Sequence, residues 1–175
     1  LETVQEFEPE ADLILIGKRG EAADFASLHL GSNLERVVRA SHKPVLVASR
    51  AFKPVDSFLI AYDGGASADK AVDHIAQGHL FPGLACRLLM AGQPDSAMTA
   101  KLEAAAAKLR AAGYGVTAGV EAGQPDAVIA RTIEQEGIGL LVMGAYGHSR
   151  IRTLIIGSTT TEMIRSCLVP VMLFR

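Results

Sequence analysis

No run of basic residues and no basic stripe occurs in this sequence. Its 17 lysines and arginines are offset by 19 aspartates and glutamates, for a formal net charge of −2. Without a cationic track to neutralise successive phosphates, neither a nucleic acid nor an anionic membrane is expected as a partner. Long apolar runs are missing as well: none approaches the roughly 18 residues a bilayer-spanning helix needs, and the N-terminus lacks the charged and apolar regions of a signal peptide. The first residue is Leu1 rather than Met, which suggests a fragment, a processed chain or a missing beginning. Cysteine is scarce. Cys86 and Cys167 sit far apart in apolar surroundings, as buried thiols of a reducing compartment do, so a cytoplasmic location is expected. The histidines at 29, 42, 74, 79 and 148 form no ligand spacing with them, and no metal site is expected. What is present is a globular balance, with 49% hydrophobic and 21% charged residues.

An internal repeat organises the chain. Leu13-Ile14-Leu15-Ile16-Gly17-Lys18-Arg19-Gly20 matches Leu140-Leu141-Val142-Met143-Gly144-Ala145-Tyr146-Gly147, an apolar run entering Gly-x-x-Gly each time. Gly31-Ser32 matches Gly157-Ser158, Arg39 matches Arg165, and 43–47 matches 169–173. The offset is 127 before the loop (13 to 140) and 126 after it (31 to 157), a one-residue difference of the kind loops absorb. The expected organisation is a second-half copy over 1–50, a linker over 51–55 and a complete copy over 56–175. Half a domain leaves apolar faces uncovered, so 1–50 must pack on the complete copy, on another chain, or on residues outside this sequence.

In the complete copy, 58–62 is a short apolar run stopped by Asp63-Gly64-Gly65, the pattern of a strand buried on both faces. Ala68, Ala71, Val72, Ile75 and Ala76 follow helical spacing, with Ser67 as N-cap. Strands are expected over 86–91, 116–120, 138–143 and 169–174. The last starts at Pro170, which suits a sheet edge. Helices are expected over 98–112 closed by Gly113, from Pro125 to Gly137, and over 158–166. Alternating strands and helices imply an α/β fold with a parallel sheet and right-handed crossovers, whose ligands bind beyond the strand carboxyl ends where Asp63 and Gly144 fall.

The loop after 138–143 has the spacing Gly144-x2-Gly147-x9-Gly157-Ser158. Glycines let the backbone approach a ligand, and the free N–H groups opening the next helix are aimed at an anion. Ser158 and Thr159 add hydroxyl donors, while His148, Arg150 and Arg152 can offset phosphate charge. Each piece has a plainer reading. Thr159-x-x-Glu162 and Ser32-x-x-Glu35 also fit capping boxes, His148 also fits a solvated loop residue, and Asp63 also fits a turn cap.

Together with the strand before it and Val169-Pro170-Val171 after it, this spacing resembles the ATP-binding signature of universal stress proteins. The stretch from Phe58 to Ser67 resembles the family's first strand and aspartate turn. The resemblance covers essentially the whole chain. It implies a Rossmann-like fold of the adenine nucleotide alpha-hydrolase kind: a five-stranded parallel sheet in the order 3-2-1-4-5, preceded by a second-half copy of the same fold. It also implies that Asp63 and the backbone near Ala91 lie on the adenine side, Met143 and Gly144 near the ribose, and Gly147, Gly157, Ser158 and Thr159 around the phosphates. The family usually has valine where Ala91 stands. Resemblance to tandem members implies pairing of 45–48 with 171–174, within one chain or across a homodimer. Copy one lacks the first strand and reads Gly17-x2-Gly20-x10-Gly31-Ser32, one residue longer, so no complete site is expected there.

The function expected is a cytoplasmic, ATP-binding stress-response protein that works by binding and switching, with ADP or AMP as alternative ligands and Mg²⁺ entering only with the nucleotide. The loop 144–159 holds neither aspartate nor glutamate to carry a metal, so no catalytic residue is assigned, and slow ATP hydrolysis or autophosphorylation is the most expected. Two other readings stay open. Asp63-Gly64-Gly65-Ala66-Ser67 superficially resembles the Ser-Gly-Gly-x-Asp-Ser loop of adenylating enzymes, and a nucleotide-free interaction module would need only the scaffold.

Overall fold

The computed structural model describes residues 2–18, 32–49, 51–78, 80–145 and 156–175. Seven strands form one sheet: β1 (Ile14–Gly17), β2 (Val45–Ala48), β3 (Ser57–Ala61), β4 (Ala85–Ala91), β5 (Gly115–Glu121), β6 (Leu140–Gly144) and β7 (Val171–Phe174). Six helices accompany them: α1 (Glu2–Phe7), α2 (Ser32–Ala40), α3 (Ala66–Gly78), α4 (Ser96–Ala111), α5 (Pro125–Glu136) and α6 (Ser158–Ser166), with a 3-10 turn at Glu8–Glu10. The strand order is β1-β2-β7-β6-β3-β4-β5.

The expected sheet of five parallel strands is therefore corrected to seven, because β1 and β2 join the same sheet. All neighbours are parallel except β2 and β7, which pair antiparallel with Val45 opposite Leu173, Leu46 opposite Met172 and Val47 opposite Val171. The strands after residue 56 lie in the order β5-β4-β3-β6-β7 within it. β7 is consequently an inner strand, and the edge position that Pro170 suggested is not observed. Pro170 precedes β7, and its carbonyl accepts from the Leu141 N–H at 3.0 Å.

Strand alternation divides the core into two layers. Phe58, Ile60, Leu88, Leu140, Val142 and Met172 face one side beneath α3 and α4. Leu59, Leu89, Leu141, Leu173, Val45 and Val47 face the other, against residues of α2, α5 and α6. Because both faces are covered, the central strands read as unbroken apolar runs rather than alternating ones. Burial also fixes the thiols: both cysteines are buried and free, the Cys86 thiol is pushed up to about 12, and the Cys167 thiol is also raised by burial.

Helix starts depart from the pattern at α3 and α6. α3 begins at Ala66, so Ser67 lies inside its first turn instead of capping it. In α6 the N-cap is Gly157, without a side-chain cap bond, and Glu162 pairs with Arg165. In α2, Glu35 pairs with Arg39. The Thr159–Glu162 capping box does not form, and the side chain of Ser32, which the other one needs, lies outside the described residues. By contrast, α5 opens on Pro125 and ends at Gly137, whose φ of 63° is the left-handed conformation a glycine C-cap supplies.

Several polar contacts bind the described residues before position 50 to one another and to the rest. The Lys18 ammonium donates to the Cys167 carbonyl at the end of α6, where a cation meets the negative end of the helix dipole. Arg175 Nη1 donates to the Arg39 carbonyl at 2.7 Å. Glu8 is buried, and its Oε1 accepts from Ser41 Oγ at 2.6 Å, His42 N at 2.5 Å and Lys43 N at 2.9 Å. Burial alone would raise the Glu8 carboxyl, but these donors outweigh it and hold the group below the ordinary value of 4.5. At the other end, Arg87 bridges Glu121 and Glu136, each at 3.1 Å, and Arg131 reaches Glu121 at 2.8 Å. The bond from Arg131 leads in holding Glu121 below 4.5, and that from Arg87 reinforces it against partial burial.

Two lowered carboxyls stabilise the fold fully above pH 4.5, and that contribution disappears as pH falls through their folded values. The thermal midpoint should accordingly drop on the acid side of pH 4.5, and Glu8→Gln should flatten that drop. Glu8→Ala should cost about 1–3 kcal/mol at neutral pH in denaturant unfolding, since three donors lose their acceptor. A variant as stable as the parent would show that these bonds contribute nothing.

Candidate functional site

The carboxyl ends of β3, β4 and β6 lie side by side, with Ala61 opposite both Leu89 and Met143. Beyond β3 the chain turns at Asp63, whose Oδ1 accepts from the Gly65 N–H at 2.9 Å. Gly64 takes φ 71°, and its carbonyl accepts from Lys101 Nζ of α4 at 3.1 Å. This turn delivers the first residues of α3 directly over the end of β6. A Cβ built on Gly144 would lie 2.9 Å from the Ser67 Cβ and 3.3 Å from the Ala68 nitrogen. Only a residue without a side chain fits there, so Gly144 is required by close approach and not by a positive φ.

The backbone then threads three bonds into one knot. Ala145 N donates to the Phe174 carbonyl at 2.7 Å, and Gly157 N donates to the Ala145 carbonyl at 3.2 Å. Thr160 Oγ1 donates to the Gly144 carbonyl at 3.1 Å. These bonds fix the start of α6 against the end of β6. The first intrahelical bond of α6 runs from Thr161 N to Gly157 O at 2.9 Å, so the preceding amides of Ser158, Thr159 and Thr160 have no intrahelical acceptor. Together with the helix dipole they make this end electropositive. Of the three hydroxyls, Ser158 is exposed, Thr159 half-buried and Thr160 buried.

The residues expected around a nucleotide are placed as follows. Met143 and Gly144 end β6, Gly157 caps α6, and Ser158 and Thr159 form its first turn. Asp63 lies in the turn after β3, and Ala91 is the last residue of β4, opposite Glu121 of β5. Gly147 and His148 lie outside the described residues, as do Arg150 and Arg152. Lys101 and Thr160 escaped the sequence reading, and Gly64 and Ser67 were read only as turn and N-cap. Asp-Gly-Gly foretold a turn, but a contact between Lys101 and Gly64, 37 residues apart, has no local signal. Tyr62, beside Asp63, is buried and donates its hydroxyl to Asp69 Oδ1 at 2.6 Å. Burial first, and that bond second, push its ionisation far up, so it stays neutral.

The sequence pattern of the universal stress protein family matches residues 5–49 and 87–175. The chain belongs to that family. Across its whole length it is 39% identical to universal stress protein Slr1230 of Synechocystis sp., and it spans 62% of that protein. A universal stress protein from Archaeoglobus fulgidus DSM 4304 superposes with a TM-score of 0.76 at 28% identity, over 99% of this chain and 64% of that one. A second universal stress protein from Archaeoglobus fulgidus, solved in complex with dAMP, shares the fold at 15% identity, with a TM-score of 0.54 over 68% of this chain and 97% of that one. Relative to both longer members, this universal stress protein chain covers less than two thirds of their length.

The close approach predicts that Gly144→Ala destabilises by about 1–3 kcal/mol, as overpacking against backbone does. Pairing it with Ser67→Gly, which removes the clashing Cβ, should recover part of the loss in urea unfolding. Additive losses would mean that the two residues are not in contact.

Proposed function

We propose that this universal stress protein chain binds an adenine nucleotide, ATP or else ADP or AMP, at the carboxyl ends of β3, β4 and β6. The observation that carries the reading is the knot joining Gly144 and Ala145 to the start of α6. It sets three amides without intrahelical acceptors and the hydroxyls of Ser158 and Thr159 beside a glycine backbone that admits no side chain. Phosphates belong at this electropositive helix end. The ribose lies against Met143 and Gly144, and the base lies towards Asp63 and Ala91. Gly147 and His148 belong to the same proposed cradle. The dAMP complex of a relative with this fold supports an adenine nucleotide as the ligand class.

The Asp63 carboxylate is committed at least to the Gly65 amide, so its part at the base is to hold the turn as well as to accept from the ligand. No carboxylate lies in the loop 144–159 to carry a metal. Mg²⁺ would therefore arrive with the nucleotide, and turnover would be slow hydrolysis or autophosphorylation at most. The protein is read as a cytoplasmic stress-response regulator working through nucleotide occupancy. Residues 1–50 are read as the second half of a first repeat and 56–175 as a complete one, joined by the linker 51–55. Its last strands meet at the β2–β7 pair.

Isothermal titration with ATP tests the site. At Gly157, φ −57° and ψ 147° are open to any residue, so Gly157→Val should keep the fold while its side chain crowds the cradle. Binding heat is expected from the parent, with affinity lowered at least about tenfold in the variant, equivalent to ~1.4 kcal/mol. Absent heat in both proteins would favour a bare interaction scaffold.

A further inference from the structure

A cavity of about 490 Å³ opens at the amino ends of β6 and β7, at the opposite end of β6 from the nucleotide site proposed above. Among the described residues, its walls are the linker after β2, the second half of α5 and the end of α6. Ile133, Ile138, Met163 and Val169 give it an apolar lining, and its volume is that of a pocket able to enclose a ligand or an inserted side chain. The linker wall is held in place: Gly139 N donates to the Ser57 carbonyl at 3.1 Å, and a Cβ built on Gly139 would lie 3.1 Å from the Val55 Cα. Beside the cavity stand the two most exposed large apolar side chains among the described residues, Phe52 at 92% and Leu168 at 91%. Leu168 lines the cavity, whereas Phe52 lies between the lining residues Ala51 and Lys53 without entering it. Lys53 and Glu134, of opposite charge, line it as well. Both are exposed, and neither has an ion-pair partner among the described residues. An apolar hollow flanked by exposed apolar side chains and rimmed by charge has the anatomy of an interaction surface.

We propose that this face docks a second copy of the chain about a twofold axis, with Phe52 of each copy entering the other's cavity and Lys53 of each pairing with the partner's Glu134. A twofold interface uses one patch on both copies, so the patch must carry both members of every contact. This one does. It holds a projecting aromatic ring and an apolar cavity, and an unpaired cation and an unpaired carboxylate. The last strands, the surface expected from the sequence to join two copies, are already paired with each other inside the chain as β2 and β7. The proposal does not rest on nucleotide binding, because the cavity lies at the far end of β6 and leaves the strand carboxyl ends open.

Sedimentation of the 175-residue chain at about 100 μM, where a micromolar Kd leaves most of the protein paired, is expected to show a dimer. Phe52→Asp should weaken it about tenfold or more. The circular dichroism of the fold should stay unchanged, because the ring is exposed in the single chain. Lys53→Glu and Glu134→Lys should each weaken the dimer too, since each sets like charges together across the axis. Mixed in equal amounts, these two variants should associate again, because every charge then meets its opposite in the other copy. Pairing within one copy cannot give that recovery. A chain that stays monomeric would overturn the proposal, as would charge variants that stay apart on mixing. A dimer unmoved by Phe52→Asp would overturn it as well, assigning the contact to another surface such as the outer edge of β1 or of β5.

Discussion

The contact between the Gly144 backbone and the first turn of α3 is the constraint on which the rest of the architecture turns. With 2.9 Å between a hypothetical Gly144 Cβ and the Ser67 Cβ, β6 and the entry to α3 are as close as chemistry permits. That proximity brings the carboxyl ends of β3 and β6 to one mouth at the point where the winding of the sheet reverses. The bonds of Ala145 and Thr160 then carry the same placement to β7 and α6. A side chain at Gly144 would disturb the core layer beneath α3 and the helix start above it together, so stability and site geometry share one determinant.

The second constraint is the antiparallel pair of β2 and β7. It joins β1 and β2 to the other strands in one sheet of seven and covers the outer side of β7. β7 is buried throughout, in keeping with this inner position. Arg175 and Lys18 reinforce the junction through carbonyls of the other half, but the ladder and the apolar layer of Val45, Val47, Val171 and Leu173 hold it. The described residues before position 50 thus share a core with the rest.

Much of this was legible in the sequence, and the reasons are physical. Two-sided burial made β3, β4, β6 and β7 read as short apolar runs, and Pro125 and Gly137 bracketed α5 through their backbone restrictions. The repeat located β1 and β2. What sequence missed was decided by longer-range geometry. Ser67 resembled a cap, but α3 starts at Ala66, two residues before the helix that a Ser67 cap would open. Thr159 and Glu162 had capping-box spacing, but the Gly157–Ala145 bond moved the cap to Gly157. Pro170 resembled an edge residue because nothing local announces that β2 will pair with β7. At the site, the glycines at 144 and 157 were recognisable by spacing. Lys101 and Thr160 were not, since their roles depend on partners distant in the chain.

Amide chemical-shift mapping with ATP reaches the central claim most directly. The account predicts saturable shifts concentrated at Gly144, Ser158 and Thr159, with smaller ones at Asp63 and Ala91 and none along β1. Shifts confined to other surfaces, or no shifts at millimolar ATP, would contradict it.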